Sequence, residues 1–382
     1  MKYFYLLLLY LPLNSFAQKI SIDSEIQTSN ESQKVVSTES SEEIAKNTRV
    51  NIKIEDSTER TVTLVAVGDI MMGTNFPSER YLPPKEVNLL QPVEAILQNA
   101  DVTFGNLEGT ILNEGGELKK CSDSSKCYAF RQPEYLIEDI KNAGFDLLSL
   151  ANNHVGDFGD TGKKNTTRIL KEKGITFAGM DSCPWDTITI NGITYGFSAF
   201  SPNRGTLQIT DYEMAQAIVS KLDSISDIVV VSFHGGAEGA TKTHVTRATE
   251  KFYGENRGNV YKFSRVVIDA GADVVLGHGP HVTRAIDVYK NRFIAYSMGN
   301  FCTYHRFNLR GVNGMAPIFK LNLTTNGELV AGEIISIKQE GEGGPVIDDK
   351  AGAFNEVKKL TATDIPELKI DFSENGTFKL RK

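Results

Sequence analysis

The stretch Val274-Val-Leu-Gly-His-Gly-Pro-His-Val282 limits what this chain can fold into more than any other. A run of apolar, β-branched residues closes on Gly277, and His278 and His281 follow three positions apart. Such a run reads as a buried strand, and Gly279-Pro280 turns the chain tightly at its end. In open α/β sheets, ligands sit in the crevice outside the carboxyl ends of the strands. Both histidines are therefore expected at such a crevice. Two unrelated loop histidines would show the same local pattern, so the other strands have to separate the two readings.

In chain order, apolar alternation predicts strands over 61–67, 102–108, 145–151, 175–178, 228–233, 285–289 and 293–296. Hairpins are expected at Asn191-Gly192 and Asn326-Gly327, within 188–200 and 318–338. Helices are expected near 92–99, 133–143, 161–173 (stopping at Gly174), 212–222, 259–270 and 354–360. Strands alternating with helices imply an α/β fold, and the hairpins make its sheets mixed. One domain over 61–340 is the simplest division, with 341–382 as a C-terminal appendage.

The strand ends share one chemistry. Asp69, Asn106 with Glu108, Asn153 with His154, His234, and His278 with His281 each follow an apolar run. Taken singly, each has a structural explanation: a helix cap, a surface charge or a turn residue. As a set, oxygen and imidazole donors without thiolate suit Mn, Fe or Zn. Two divalent ions roughly 3.5–4 Å apart would lower the pKa of water and clamp the oxygens of an in-line displacement. The expected ligands are Asp69, Glu108, Asn153, His234, His278 and His281. His154, directly after a ligand, is expected instead as general acid.

Composition narrows the class. The chain has 382 residues and a net charge of −7, without the basic excess of a nucleic-acid binder. Lys2, the apolar run Tyr3–Leu13 and Ser15-Phe16-Ala17 read as a signal peptide at 1–17, cleaved before Gln18. The mature protein is then expected in the periplasm or outside the cell. Residues 18–60 are polar and lack aromatic residues, the composition of a disordered tether. Cys121 and Cys127, in a polar loop of an exported chain, are expected to form a disulfide.

Six ordered blocks resemble the CapA family of bacterial capsule-synthesis proteins, linked to poly-γ-glutamate. They are Gly68-Asp-Ile-Met-Met-Gly73, Asn106-Leu-Glu-Gly109, Ala151-Asn-Asn-His154, His234 with Glu238, Gly277-His-Gly-Pro-His281 and Tyr296-Ser-Met-Gly-Asn-Phe301. The resemblance implies a metallophosphoesterase-like, four-layer αββα sandwich with two mixed β-sheets. It departs from the calcineurin-like pattern in three places, one being Gly105-Asn106-Leu107-Glu108, which offers a longer carboxylate at a shifted place from Gly-Asp-x-x-Asp. Met71 stands where Asp-x-His has its imidazole, and Gly277-His278-Gly-Pro-His281 is one residue longer than Gly-His-x-His.

Around the ligands, Asn106, Glu238 and Asn300 are expected in supporting roles, Glu238 by orienting a histidine. Arg257, Arg284 and Arg306 are read either as holders of an anionic substrate or as solvent-exposed residues paired with nearby acids. Three functions follow: an exported metal-dependent hydrolase, a non-catalytic assembly or export factor for an anionic polymer, and a γ-glutamyl amide hydrolase. The partners implied are an anionic polymer or a small substrate bearing phosphate or carboxylate, together with capsule-synthesis membrane proteins.

Overall fold

Residues 60–120 and 127–381 are described by a computed structural model. The expected signal peptide, the expected tether up to residue 59 and Cys121 lie outside the described residues. Cys127 is disulfide-bonded, while Cys183 and Cys302 are free thiols.

Thr61–Met71 shows how the layers arise. Successive side chains of a strand point to opposite faces, and here both faces are apolar. Val62, Leu64 and Ala66 join one buried cluster, and Val65, Val67 and Ile70 join another. The strand therefore has to be covered on both sides. It lies inside a sheet ordered Ile370–Phe372, Thr377–Leu380, Leu329–Gln339, Met315–Thr324, Thr61–Met71, Val102–Leu107, Leu147–Ser149, Thr176–Ala178. The last four strands run parallel. A second sheet runs Ile286–Tyr289, Arg292–Ala295, Val274–His278, Ile228–His234, Ile193–Phe200, Trp185–Ile190, with a parallel centre and antiparallel edges.

Three apolar interfaces make four layers. Leu64, Phe104, Phe197, Val230 and Leu276 fill the space between the sheets. The outer face of the first sheet packs on Leu136–Asn142 and Gly159–Glu172 through Ile137, Ile140, Ile169 and Leu170. The outer face of the second packs on Tyr212–Asp223 and Val260–Asp269 through Val219, Leu222, Phe263 and Val267. This is the αββα sandwich with two mixed sheets.

The helices begin and end where their sequences dictate. Asp211 and Asn259 accept hydrogen bonds from the amides of Met214 and Lys262 as N-caps. Gly174, at φ +64°, follows the helix Gly159–Glu172.

Two expectations need correction. The segment 341–382 is not an appendage. Pro345–Ile347 and Thr377–Leu380 both pair with Leu329–Gln339. The helix Gly352–Asp364 sends Phe354 and Val357 into the inter-sheet core. The reason is physical: without this helix and strand, that end of the first sheet would expose an apolar face and an unpaired edge. The second correction is a strand not foreseen, Asn300–Thr303. It pairs in parallel with the end of the first strand, Asp69 opposite Asn300. Among the described residues, no helix is long and apolar enough to cross a membrane.

If 341–382 belongs to the core, Phe354→Ala should cost about 3–5 kcal/mol, as a large core truncation does. Urea unfolding measures this. A loss within about 0.5 kcal/mol, typical of a surface site, would contradict the packing.

Candidate metal centre

Parallel pairing brings the strand ends together. Asp69 lies opposite Asn106, Asn106 opposite Ser149, and His278 opposite His234. The carboxyl edges of both sheets thus supply the same site. Gly68 permits the close approach this requires, since a Cβ there would sit 2.0 Å from the Gly299 carbonyl oxygen. Gly279, at φ +112°, lies so close to Gly235 that a side chain would strike its backbone.

Glu108 is at the centre. Its Oε1 lies 3.5 Å from His234 Nε2, 3.7 Å from His281 Nε2 and 3.9 Å from His154 Nε2. Glu108, His234 and His281 offer one donor atom each, all within 4.8 Å of one another. Asn106 supports the arrangement from below. Its amide donates to Asp69 Oδ1 at 2.8 Å and to Glu108 Oε2 at 2.7 Å. Its own carbonyl accepts from Asn152, which also donates to the Leu107 carbonyl oxygen.

Asp69 has both oxygens engaged, one 3.1 Å from His278 Nδ1 and the other 2.9 Å from His281 Nδ1. A carboxylate only accepts, so each Nδ1 carries a proton and each Nε2 is turned away from Asp69. Asp69, expected as a ligand, is seen here orienting two imidazoles. Burial opposes its ionisation, but hydrogen bonds from His278 and His281 outweigh burial and hold its pKa well below the usual carboxylate value. Glu108 goes the other way: burial first, then the charge of Asp69, raises its pKa well above the ordinary value. Burial would lower His281, yet Glu108 and Asp69 push it up to about 10. For His234, burial and then Arg257 lower the pKa.

Four buried atoms here have no hydrogen-bond partner among the described residues: Glu108 Oε1, Asn153 Oδ1, His234 Nε2 and His278 Nε2. An unsatisfied buried polar atom costs about 1–3 kcal/mol. Two of them, Glu108 Oε1 and His234 Nε2, belong with His281 to one group of donors, and oxygen with imidazole nitrogen fits a divalent cation. Asn153, His154 and His281 open onto a pocket of about 620 Å³.

His154 is oriented separately. Its Nδ1 lies 2.8 Å from Asp157 Oδ2, and Phe130 packs at 4.3 Å from its ring. Burial lowers its pKa, and Asp157 partly offsets this. Asn300 donates to the backbone carbonyls of His281 and Asn313, so it shapes the turn that holds His281 at φ +57°.

The remaining expectations meet corrections. Glu238 touches no imidazole; it pairs with Arg257 at 2.8 Å, and Arg257 Nη2 lies 3.5 Å from His234 Nδ1. A guanidinium offers no acceptor, so His234 lacks the carboxylate pairing of the other two histidines. Arg257 and Arg284 are not solvent-exposed, at 2% and 1% exposure. Arg284 makes a two-pronged ion pair with Glu250 outside the pocket and cannot hold a substrate. Arg306 does line the pocket. Asn152 and Asp157 received no role from the sequence, although the spacing His154-x-x-Asp157 was a usable signal.

Burial raises the pKa of Glu108, and its carboxylate neighbours raise that of His281, so a cation binding there competes with protons. Affinity for Mn²⁺ or Zn²⁺ should therefore rise with pH, and binding should release protons. Calorimetry in two buffers of different ionisation enthalpy measures both. Glu108→Gln should weaken binding at least about tenfold, and unchanged affinity would contradict this centre.

A family model described as "Bacterial capsule synthesis protein PGA_cap" matches residues 63–305. A capsule biosynthesis protein CapA of Bacillus anthracis is 28% identical over 324 residues, covering 79% of this chain and 74% of that protein. A PGA biosynthesis protein CapA of Bacillus subtilis (strain 168) is 27% identical, covering 65% of each. Among solved structures, a 5′-nucleotidase precursor from Thermus thermophilus has a TM-score of 0.41 at 12% identity, covering 81% of this chain and 60% of that one.

Proposed function

The chain belongs to the bacterial capsule synthesis protein family, and from that premise we propose that it is an exported, metal-dependent hydrolase acting on an anionic substrate of capsule biosynthesis. The observation carrying this reading is the cluster of orphaned donors around Glu108 Oε1. A surface serving only to bind polymer has no need of three imidazoles, two of them buried, around a buried carboxylate. The substrate class is a polymer or small molecule bearing phosphate or carboxylate. Capsule-synthesis membrane proteins are the proposed partners.

Glu108, His234 and His281 would hold a divalent ion, with Asn153 and His278 as further donors; the expectation of two such ions belongs to this proposal. When bound, the ion supplies Lewis-acid activation of water and of a substrate oxygen. The chain's own residues do the rest. Asp69 keeps the imidazoles of His278 and His281 turned so that each Nε2 lone pair is free. Phe130 covers one side of His154 and limits water there. His154, fixed by Asp157, holds a proton at Nε2 for the departing group.

His154→Ala should keep its metal and lose about 10²–10⁴-fold in turnover. The assay uses the mature chain, with its first residue expected at Gln18, loaded with Mn²⁺ or Zn²⁺, on phosphodiester and γ-glutamyl substrates. Burial keeps the His154 pKa below its ordinary value. If its protonated form is the active one, kcat should fall as pH rises through that depressed pKa, and the variant should lose this limb. Turnover of no substrate by the loaded wild type would favour the second reading, a non-catalytic assembly factor. Met71 supports that second reading, since a thioether buried in the strand replaces an imidazole of the hydrolase pattern. Turnover of γ-glutamyl substrates alone would instead identify an amide hydrolase.

A further inference from the structure

Three cations line the pocket above the metal centre: Lys119, Arg257 and Arg306. Lys119 Nζ lies 2.6 Å from Asp157 Oδ1. Arg257 is flanked by Glu238 at 2.8 Å and Glu255 at 3.7 Å. Arg306 differs from both. Its guanidinium carbon stands 4.9 Å from the ring centres of Tyr81 and of Tyr128. Among the described residues no carboxylate pairs with it, and its buried Nε has no hydrogen-bond partner. The Tyr81 hydroxyl also accepts from Arg306, so the guanidinium is steadied by two rings and one neutral acceptor, none of which supplies a counter-charge.

The backbone around Arg306 is also unusual. His305 and Arg306 are both left-handed, at φ +49° and +60°. Two such residues in succession without glycine persist only where the surroundings hold them. Here the Tyr304 hydroxyl donates to Glu342 Oε2 at 2.6 Å, and the His305 amide donates to the Glu342 carbonyl oxygen at 2.7 Å. The His305 ring meets Tyr304 at 4.7 Å and Tyr81 at 5.9 Å. The turn follows directly from the strand Asn300–Thr303, which is anchored beside Asp69.

The next residue ties the turn to the site. Phe307 stacks on Phe130 at 5.2 Å and meets the His281 ring at 6.0 Å. Phe130 in turn packs on His154. A cation without a counter-charge is thus held on the same wall as the proton-carrying histidine.

We propose that Arg306 is the specificity-determining residue of this pocket, binding a carboxylate or phosphate group of the substrate through its planar donor fork. The proposal rests on the reading of this pocket as the substrate site. Both anions present paired oxygens that match a guanidinium, and among the described residues Arg306 is the pocket cation with no carboxylate paired to it.

The test is binding to the full chain after chelator treatment, at low salt, with inorganic phosphate and glutarate as separate probes in calorimetry. Wild type should bind at least one of them. Arg306→Gln should weaken that binding about tenfold or more, as loss of a charge-assisted pair does. Arg306→Lys should recover part of it, and Arg310→Gln, on the exposed continuation of the loop, should leave it unchanged. The probe that Arg306→Gln weakens more identifies the anion. On wild-type protein, phenylglyoxal should modify Arg306, and the bound anion should slow that modification, which avoids any dependence on the variants' folding. Binding by Arg306→Gln within about twofold of wild type would overturn the proposal, as would modification of Arg306 at the same rate with and without either anion. Since the readout is binding to metal-free protein, absence of hydrolysis would leave this result standing, and loss of this result would leave the role of His154 standing.

Discussion

One side-chain amide allows two carboxylates to share the interior of this protein. Asp69 and Glu108 are both buried, and Asn106 donates one hydrogen bond to each from a single nitrogen. Burying charge is costly unless it is paired and hydrogen-bonded. The two carboxylates resolve this differently. Asp69 draws on two imidazoles and stays ionised, whereas Glu108, beside that charge, is driven towards its protonated form. A cation at Glu108 Oε1 would remove the conflict, and much of the surrounding structure serves to keep that position ready.

The supports are distributed over both sheets, so the sandwich is a requirement of the site as well as its container. The first sheet supplies Asp69, Asn106 and Glu108, and the second supplies His234 and His278. Asp69 meets His278 and His281 across the seam between the sheets. A change in the inter-sheet core, at Phe104 or Leu276 for example, would therefore shift ligand geometry along with stability. Phe104 itself packs 5.6 Å from the His278 ring.

Much of this was legible in the sequence because strand ends in parallel sheets have a fixed meaning. Long apolar runs such as Ile228–His234 and Val274–His278 announced themselves, and so did the donors that follow them. Short strands did not. Asn300–Thr303 and Thr377–Leu380 have four residues each, too few for a period to show, and their pairing depends on remote partners. The segment from 341 read as an appendage, while the chain in fact turns there to rejoin the same sheet. Within the site, residue types were readable but directions were not. Nothing local reveals that Asn152 turns inward to Asn106, that Arg257 rather than Glu238 meets His234, or that Arg284 is consumed by Glu250. Those outcomes depend on contacts between residues tens of positions apart.

Glu108, His234 and His281 offer one group of donors, beneath which Asn106 bridges two carboxylates. Crystals of the full chain soaked in Mn²⁺ or Zn²⁺, with anomalous scattering to locate the ion, test this arrangement most directly. The predicted result is an ion about 2.0–2.2 Å from Glu108 Oε1, His234 Nε2 and His281 Nε2, with Asn106 still hydrogen-bonded to Asp69 and Glu108. An ion bound elsewhere, or none at saturating metal with Glu108 and Asp69 unmoved, would contradict it.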